Sequence, residues 1–189
     1  MRQEGSARLA GLLVAILACV HGPVRAVDLP ATDERCVNDH AGIVGKQDRT
    51  AIRSLCHKAR KDGVEMVVVT IRSLEEHEVR SSRLDFFVDE IFDDWDIDYD
   101  AASSAIMLFV SHKDRQIRIR MGEKFNDKAW KKASQIMRHT VGPGLRRRPS
   151  RCIRKGFDRL FREVAEPYIC AEKKKAKKTD PKRGRVNFE

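Results

Sequence analysis

The sequence lacks the short motifs that identify the common enzyme classes. It contains no Gly-x-Ser-x-Gly elbow, no His-Glu-x-x-His helix and no glycine-rich phosphate loop. None of its cysteines forms a Cys-x-x-Cys pair, which argues against a structural zinc site. It also contains no internal repeat. We therefore expect a binding or accessory module rather than a vigorous enzyme.

Long apolar runs are also scarce, and the main one lies at the N-terminus. Arg2 and Arg8 precede the uncharged segment 9–20, and Gly22-Pro23 and then Val24-Arg25-Ala26 follow. This order is typical of a signal peptide, so we expect segment 1–26 to be cleaved after Ala26 and the protein to be periplasmic or secreted. The run is shorter than the roughly 20 residues that span a bilayer, and no transmembrane helix is expected in the mature chain. The alternative is a lipoprotein anchored through Cys19.

Four cysteines remain after Ala26: Cys36, Cys56, Cys152 and Cys170. An even number in an oxidising compartment favours disulfides. Cys152 and Cys170 flank a predicted helix and would lie about 27 Å apart, too far to pair. Full oxidation then leaves two arrangements, Cys36 with Cys170 and Cys56 with Cys152, or Cys36 with Cys152 and Cys56 with Cys170. We favour the first because domain termini are often close. A reduced, buried Cys56 is the alternative.

The chain is strongly basic, with a formal net charge of +10. In an exported protein this charge predicts an anionic surface or an acidic envelope protein as the partner, and no nucleic acid is expected. One group of cations precedes and begins the last predicted helix, where positive charge opposes the helix dipole. We call it the basic cluster, and it comprises Arg146, Arg147, Arg148, Arg151 and Lys155, between which Arg154 also lies in the sequence. We expect the five residues of the cluster to bind an anion, and a solvated loop is the alternative. Segment 171–189 has almost no apolar residues and is expected to be a disordered basic tail. Binding of a polyanion or an anionic surface through this tail is an alternative function.

The hydrophobic pattern predicts one domain over residues 36–170, after a polar lead at 27–35. Buried strands are predicted at 65–71 and 105–110, and a half-exposed strand follows the turn at 112–115. Helical periodicity predicts four helices, two before the second strand and two after the third. A strand joined through a helix to a parallel strand predicts a right-handed crossover. The expected fold is a compact α/β sandwich with a small mixed β-sheet flanked by about four helices.

Several sequence elements occur together in a recognisable order. They are Val37-Asn38-Asp39-His40-Ala41-Gly42, Val67-Val68-Val69-Thr70, Trp95 with Ile97, the strand at 106–110, Asp114-Arg115, and Gly122. In this order they resemble the TPM-domain family over about residues 36–164. The resemblance implies an α/β fold, an exported or membrane-anchored location, and roles in assembling membrane complexes or modulating receptors. It also implies calcium binding or weak acid-phosphatase activity in some members.

The loops that would form the family's ligand site depart from its pattern. The sequence has Asp96-Ile97-Asp98 where Gly-Ile-Gly is usual, Ser103-Ser104-Ala105 where Asp-Asn-Gly is common, and Gly122-Glu123-Lys124 where Gly-x-Gly is usual. At these positions the resemblance therefore does not carry over the family's ligand or metal site.

An acidic run follows the second predicted helix and suggests a calcium site. An EF-hand loop needs glycine at its sixth position and glutamate at its twelfth. Counted from Asp96 these positions are Ala101 and Met107, so the run is not an EF-hand. Carboxylates at the strand ends could still surround a calcium ion, which takes six to eight oxygen ligands. We expect Asp39, Asp98 and Asp100 as metal ligands. A weak metal-assisted phosphatase on the same loops, with His40 as a base, is the alternative, although catalytic residues cannot be assigned.

Overall fold

The computed structural model describes residues 29–32, 34–95 and 104–179. Within these residues a four-stranded sheet has the order β1-β2-β3-β4. The strands are β1 Val37–Asp39, β2 Glu65–Ile71, β3 Ala105–Ser111 and β4 Gln116–Met121. The first three run parallel and β4 runs antiparallel to β3. The predicted α/β fold with a small mixed sheet is confirmed.

The helices are α1 Lys46–Lys61, α2 Leu84–Asp94, α3 Asp127–Ile136, α4 Pro149–Leu160 and α5 Glu166–Thr179. Local sequence explains where they begin and end. The side chain of Asn126 caps α3 by accepting a hydrogen bond of 3.0 Å from the Ala129 amide. Gly63 ends the turn after α1 with φ of +80°, a left-handed conformation that glycine adopts without a steric penalty.

The two central strands are covered on both faces. Side chains of β2 and β3 alternate between two apolar layers, as the period of a strand requires. One layer, containing Val68 and Leu108, packs against α1, α3 and α4. The other, containing Val69 and Phe109, packs against α2. The continuous apolar runs in these strands reflect this double burial, as expected.

The positions of α1 and α2 determine the handedness of the two crossovers. The chain steps in one direction across the sheet, from β1 through α1 to β2 and then through α2 to β3. Because α1 and α2 lie on opposite faces, the two connections have opposite hands. One of them is therefore the rare left-handed kind, which the general preference for right-handed crossovers does not predict.

The C-terminal part of the described chain is one continuous helical run. A π-helical turn, Phe161–Ala165, joins α4 to α5, and the helix continues past Pro167. Residues 171–179, which composition predicted to be disordered, are therefore helical here. Ile169 is buried, and Lys173 lies 2.5 Å from Asp62, so contacts with the domain support the start of this basic segment.

Helix α4 approaches a second π-helical turn, Met137–Val141, at Gly156. A Cβ atom at Gly156 would lie 2.2 Å from Cγ2 of Val141, so the absence of a side chain permits this close packing. This contact fixes the position of α4 on the domain.

None of the helices in the described ranges is both long enough and apolar enough to cross a membrane.

Candidate functional site

Asp39 lies at the end of β1, and hydrogen bonds occupy both of its carboxylate oxygens. Oδ1 accepts from the Ile43 amide at 3.0 Å and from the Thr70 hydroxyl at 2.6 Å. Oδ2 accepts from the Val44 amide at 2.9 Å and from the Arg49 guanidinium at 2.9 Å. The side chain is 1% exposed. The carboxylate therefore connects the loop after β1 to α1 and β2.

The loop that Asp39 organises makes a sharp turn. Gly42 has φ of +65°, in the left-handed region that favours glycine, and its amide donates to the Asp39 carbonyl at 3.1 Å. The Ala41 amide donates to the Thr70 carbonyl at 3.3 Å. Thus the Asp-His-Ala-Gly segment that carries the sequence resemblance forms a folded connection between β1 and α1.

A second carboxylate, that of Asp114, organises the neighbouring strand ends. Its Oδ2 accepts from the Ser111 hydroxyl at 2.5 Å and from the Leu74 amide at 2.7 Å. It thereby joins the segment after β2 to the turn after β3. Sequence analysis placed Asp114 in a turn but gave it no role. The signals in the sequence were the turn predicted at 112–115 and the pair Asp114-Arg115 among the elements of the family resemblance. In the structure Arg115 has a φ of +55°, which marks the tight turn.

The predicted metal ligands are only partly within the described residues. Asp98 and Asp100 lie outside them, and Asp39 makes the hydrogen bonds given above. Across 29–32, 34–95 and 104–179, no group of three or more His, Cys, Asp or Glu side chains is arranged to hold a metal ion. Calcium binding by Asp39, Asp98 and Asp100 stays a prediction.

The cysteine pairing corrects the sequence prediction. Cys36 and Cys56 form a disulfide with Cα atoms 6.2 Å apart, whereas Cys152 and Cys170 are free thiols. The preferred pairs, Cys36 with Cys170 and Cys56 with Cys152, are wrong, and so is the second arrangement. The error came from assuming that all four cysteines are oxidised. The separation of Cys152 from Cys170 along the helix was correct and leaves each without a partner.

The free thiol of Cys152 is chemically inert. It lies on α4 with 5% exposure and donates to the Pro149 carbonyl at 3.1 Å. Burial raises the pKa of the Cys152 thiol to about 11. Since the thiolate is the nucleophilic form, this cysteine is a packing residue at neutral pH.

The basic cluster lies on the surface where α4 begins. Arg146 and Arg147 are exposed in the preceding turn, Arg148 is at the N-cap, and Arg151 and Lys155 are exposed on the helix. None of the five forms an ion pair with an acidic residue of the described chain. The structure therefore brings all five predicted anion-binding residues to one end of α4.

The neighbouring Arg154 has a different role. Its guanidinium pairs with Asp48 at 2.8 Å, and the Ser150 hydroxyl donates to the same carboxylate at 2.5 Å. The Gly45 amide donates to Ser150 Oγ at 2.9 Å. These bonds hold the first turn of α4 against the start of α1. Arg154 is structural, and the remaining cations face solvent.

Comparison with known proteins agrees with this architecture. The chain resembles the solution structure of the N-terminal domain of a P. gingivalis protein, with a TM-score of 0.61, 18% identity, and coverage of 76% of this chain and 95% of that one. It also resembles the BA42 protein from the psychrophilic bacterium Bizionia argentinensis, with a TM-score of 0.51, 12% identity, and coverage of 66% and 83%. At these identities the likeness shows the fold alone.

Sequence comparison gives the family. No curated protein matches the chain. The sequence pattern of the TPM domain matches residues 37–163, which is most of the described domain and includes Asp39, Asp114 and the start of α4. The chain belongs to the TPM-domain family.

Proposed function

We propose that this TPM-domain protein is exported and acts as a binding module that attaches to anionic lipid at the cell envelope through its basic cluster. The observation that carries the proposal is the concentration of five exposed cations, Arg146, Arg147, Arg148, Arg151 and Lys155, without an acidic partner among the described residues. Nine arginines elsewhere in the described chain form ion pairs with carboxylates.

The arrangement of the cluster costs stability in the unbound protein. Its cations repel one another, and those near the first turn of α4 oppose the positive end of the helix dipole. Lipid phosphates would relieve both effects, because an anion is favoured at a helix N-terminus and neutralises the neighbouring guanidinium groups. Binding therefore gains from an arrangement that folding alone does not favour.

Helix α5 provides a second basic surface. Lys174, Lys177 and Lys178 are exposed and have no ion pair with a described acidic residue, whereas Lys173 pairs with Asp62 and Lys175 with Glu172. Each basic residue close to an anionic membrane contributes about 1 kcal/mol at low salt. The second surface should add to the attachment made by the cluster.

Two observations support export. The N-terminal 26 residues have the order of a signal peptide. The Cys36–Cys56 disulfide is of a kind that persists in oxidising compartments and is rare in the cytosol. An exported, basic module without a catalytic motif fits attachment to the envelope better than turnover of a substrate.

The proposal is tested by co-sedimentation of the mature protein, residues 27–189, with vesicles of phosphatidylcholine containing phosphatidylglycerol. The variant Arg146→Glu/Arg147→Glu/Arg151→Glu should bind at least about a hundredfold more weakly at low salt. The control Lys61→Glu/Lys124→Glu/Lys131→Glu changes the net charge equally at exposed positions elsewhere and should lose much less affinity. Equal losses in both variants, or no binding by the unmodified protein, would overturn the proposal.

A further inference from the structure

Strand β4 exposes one edge of the described sheet. It pairs with β3 on one side, and no other described strand lies beyond it. The Gly122 amide donates to the Ala105 carbonyl at 2.9 Å, and hydrogen-bonded pairs alternate along an antiparallel ladder. It follows that the backbone groups of Ile117, Ile119 and Met121 point away from β3. These residues form an edge that another strand could join.

A shallow apolar groove lies beside this edge. Its volume is about 610 Å³, and its lining includes Ile117 and Ile119 of β4, Trp130 of α3, and Met137 and Gly142. Both isoleucines and the tryptophan are half-buried. Alternate side chains of an added strand would point to the same face as Ile117 and Ile119 and would enter this groove.

Two arginines cover part of the edge. Nη1 of Arg118 donates to the Ile117 carbonyl at 2.9 Å, and Nη1 of Arg120 donates to the Met121 carbonyl at 2.6 Å. The same guanidinium groups pair with Asp85 at 2.5 Å and Asp89 at 2.7 Å on α2. A neutral strand would have to displace the two bonds to the carbonyls without offering the arginines anything in return.

Acidic side chains on the added strand would lower the cost of displacing these two hydrogen bonds. The carboxylates of Asp85 and Asp89 are 81% and 53% exposed, and pairs this exposed exchange partners at little cost. A carboxylate on the added strand could draw each guanidinium away from the edge carbonyl that it covers. That carbonyl could then accept a hydrogen bond from an amide of the added strand.

We propose that the β4 edge binds an extended acidic peptide segment of a partner protein as an added strand. Its apolar side chains occupy the groove of Ile117, Ile119 and Trp130, and its alternating carboxylates face Arg118 and Arg120. A second copy of this chain is a poor occupant, because pairing β4 with β4 would bring the Arg118 and Arg120 of both copies onto one face, where like charges repel. None of the five residues of the basic cluster lines this groove.

The test uses fluorescence anisotropy with the full-length protein and a labelled octapeptide of alternating aspartate and isoleucine. The peptide should bind at low salt, and a peptide with lysine in place of aspartate should not. Two further peptides carry N-methyl groups either on every aspartate amide or on every isoleucine amide, which blocks one or the other edge of the strand. One of these two should retain binding and the other should lose it. Equal binding by both, or no binding by the parent peptide, would overturn the proposal.

Protein variants test the role of the arginines. Arg118→Ala/Arg120→Ala should weaken binding of the acidic peptide by about tenfold or more and strengthen that of a serine–isoleucine peptide, since the edge carbonyls are uncovered. Arg146→Ala/Arg147→Ala removes the same charge from the basic cluster and should leave peptide binding unchanged. An unchanged preference for the acidic peptide in the first variant would contradict the mechanism. Vesicle binding by Arg118→Ala/Arg120→Ala should match that of the unmodified protein. The peptide proposal and the membrane proposal can therefore fail independently.

Discussion

The buried carboxylate of Asp39 and the half-exposed guanidinium of Arg49 lie 2.9 Å apart, and the pair joins the end of β1 to the first turn of α1. Arg49→Met would leave a carboxylate of 1% exposure without its cation. We expect the free energy of unfolding to fall by about 2 to 3 kcal/mol, measured by urea denaturation. Arg53→Met on the same helix removes a more exposed pair with Glu34 and should cost less than about 1 kcal/mol. Equal losses of unfolding free energy in the two variants would show that Arg49 does not stabilise the buried Asp39 carboxylate.

Calcium binding is a separate prediction and rests on Asp98 and Asp100. Calorimetry of the full-length protein with millimolar calcium should give binding heat that is lost in Asp98→Ala/Asp100→Ala. If Asp39 is a third ligand, Arg49→Met should tighten calcium binding, because it releases one oxygen of that carboxylate. The absence of heat at millimolar calcium would contradict the site altogether.

The disulfide pairing can be checked directly. Peptide mapping of the unreduced protein should link the segment around Cys36 to that around Cys56. Cys36→Ser/Cys56→Ser should lower the free energy of unfolding by about 3 kcal/mol, the scale for a closed loop of this length. A peptide that links Cys36 to Cys170 would instead restore the pairing expected from the sequence.

Cys152 predicts a specific pH dependence. Burial raises the pKa of its thiol from 9.0 to about 11, so the folded state holds the proton more tightly than the unfolded state. Below pH 9 both states are protonated and the thiol does not affect stability. From pH 9 to 11 the unfolded state releases the proton first, and stability falls. Denaturation at several pH values should show this extra loss in the unmodified protein and not in Cys152→Ala. Parallel profiles would contradict the assignment.

Truncation after Ala171 tests the last basic segment. The cut removes the exposed lysines of α5 and two surface ion pairs, Lys173 with Asp62 and Lys175 with Glu172, but no buried residue of the described chain. The melting temperature should change little, and vesicle binding should weaken. A large fall in melting temperature would mean that this helical segment supports the domain.

Sequence patterns predicted the long elements well. The apolar periodicity of α1 and α2 and the continuous apolar runs of β2 and β3 agree with the structure because each has enough residues for a repeat to be visible. Strand β1 has three residues and no such repeat. Its place in the sheet depends on pairing with β2, which sequence spacing does not reveal.

The candidate site was predicted less completely. Asp39 was predicted as a metal ligand, which stays a prediction, and its hydrogen-bond partners Thr70 and Arg49 come together only through the crossover. The basic cluster was found because its residues are adjacent in the sequence. The β4 edge was not found, since its groove also depends on Trp130 and Met137 from a distant segment. Composition also failed to predict the helical residues of α5 after Ala171. They continue a helix that the buried side chains of Phe157 and Leu160 anchor in the core.

The uninterrupted helical run from Pro149 to Thr179 has a mechanical consequence. At 1.5 Å per residue it places Arg151 of the basic cluster about 40 Å from Lys177 of α5. Because a helix joins them, the second contact does not incur the entropic cost of closing a flexible linker. In the proposed attachment the two ends would therefore form a rigid bivalent unit, and a flat anionic surface could engage both only when the helix lies parallel to it.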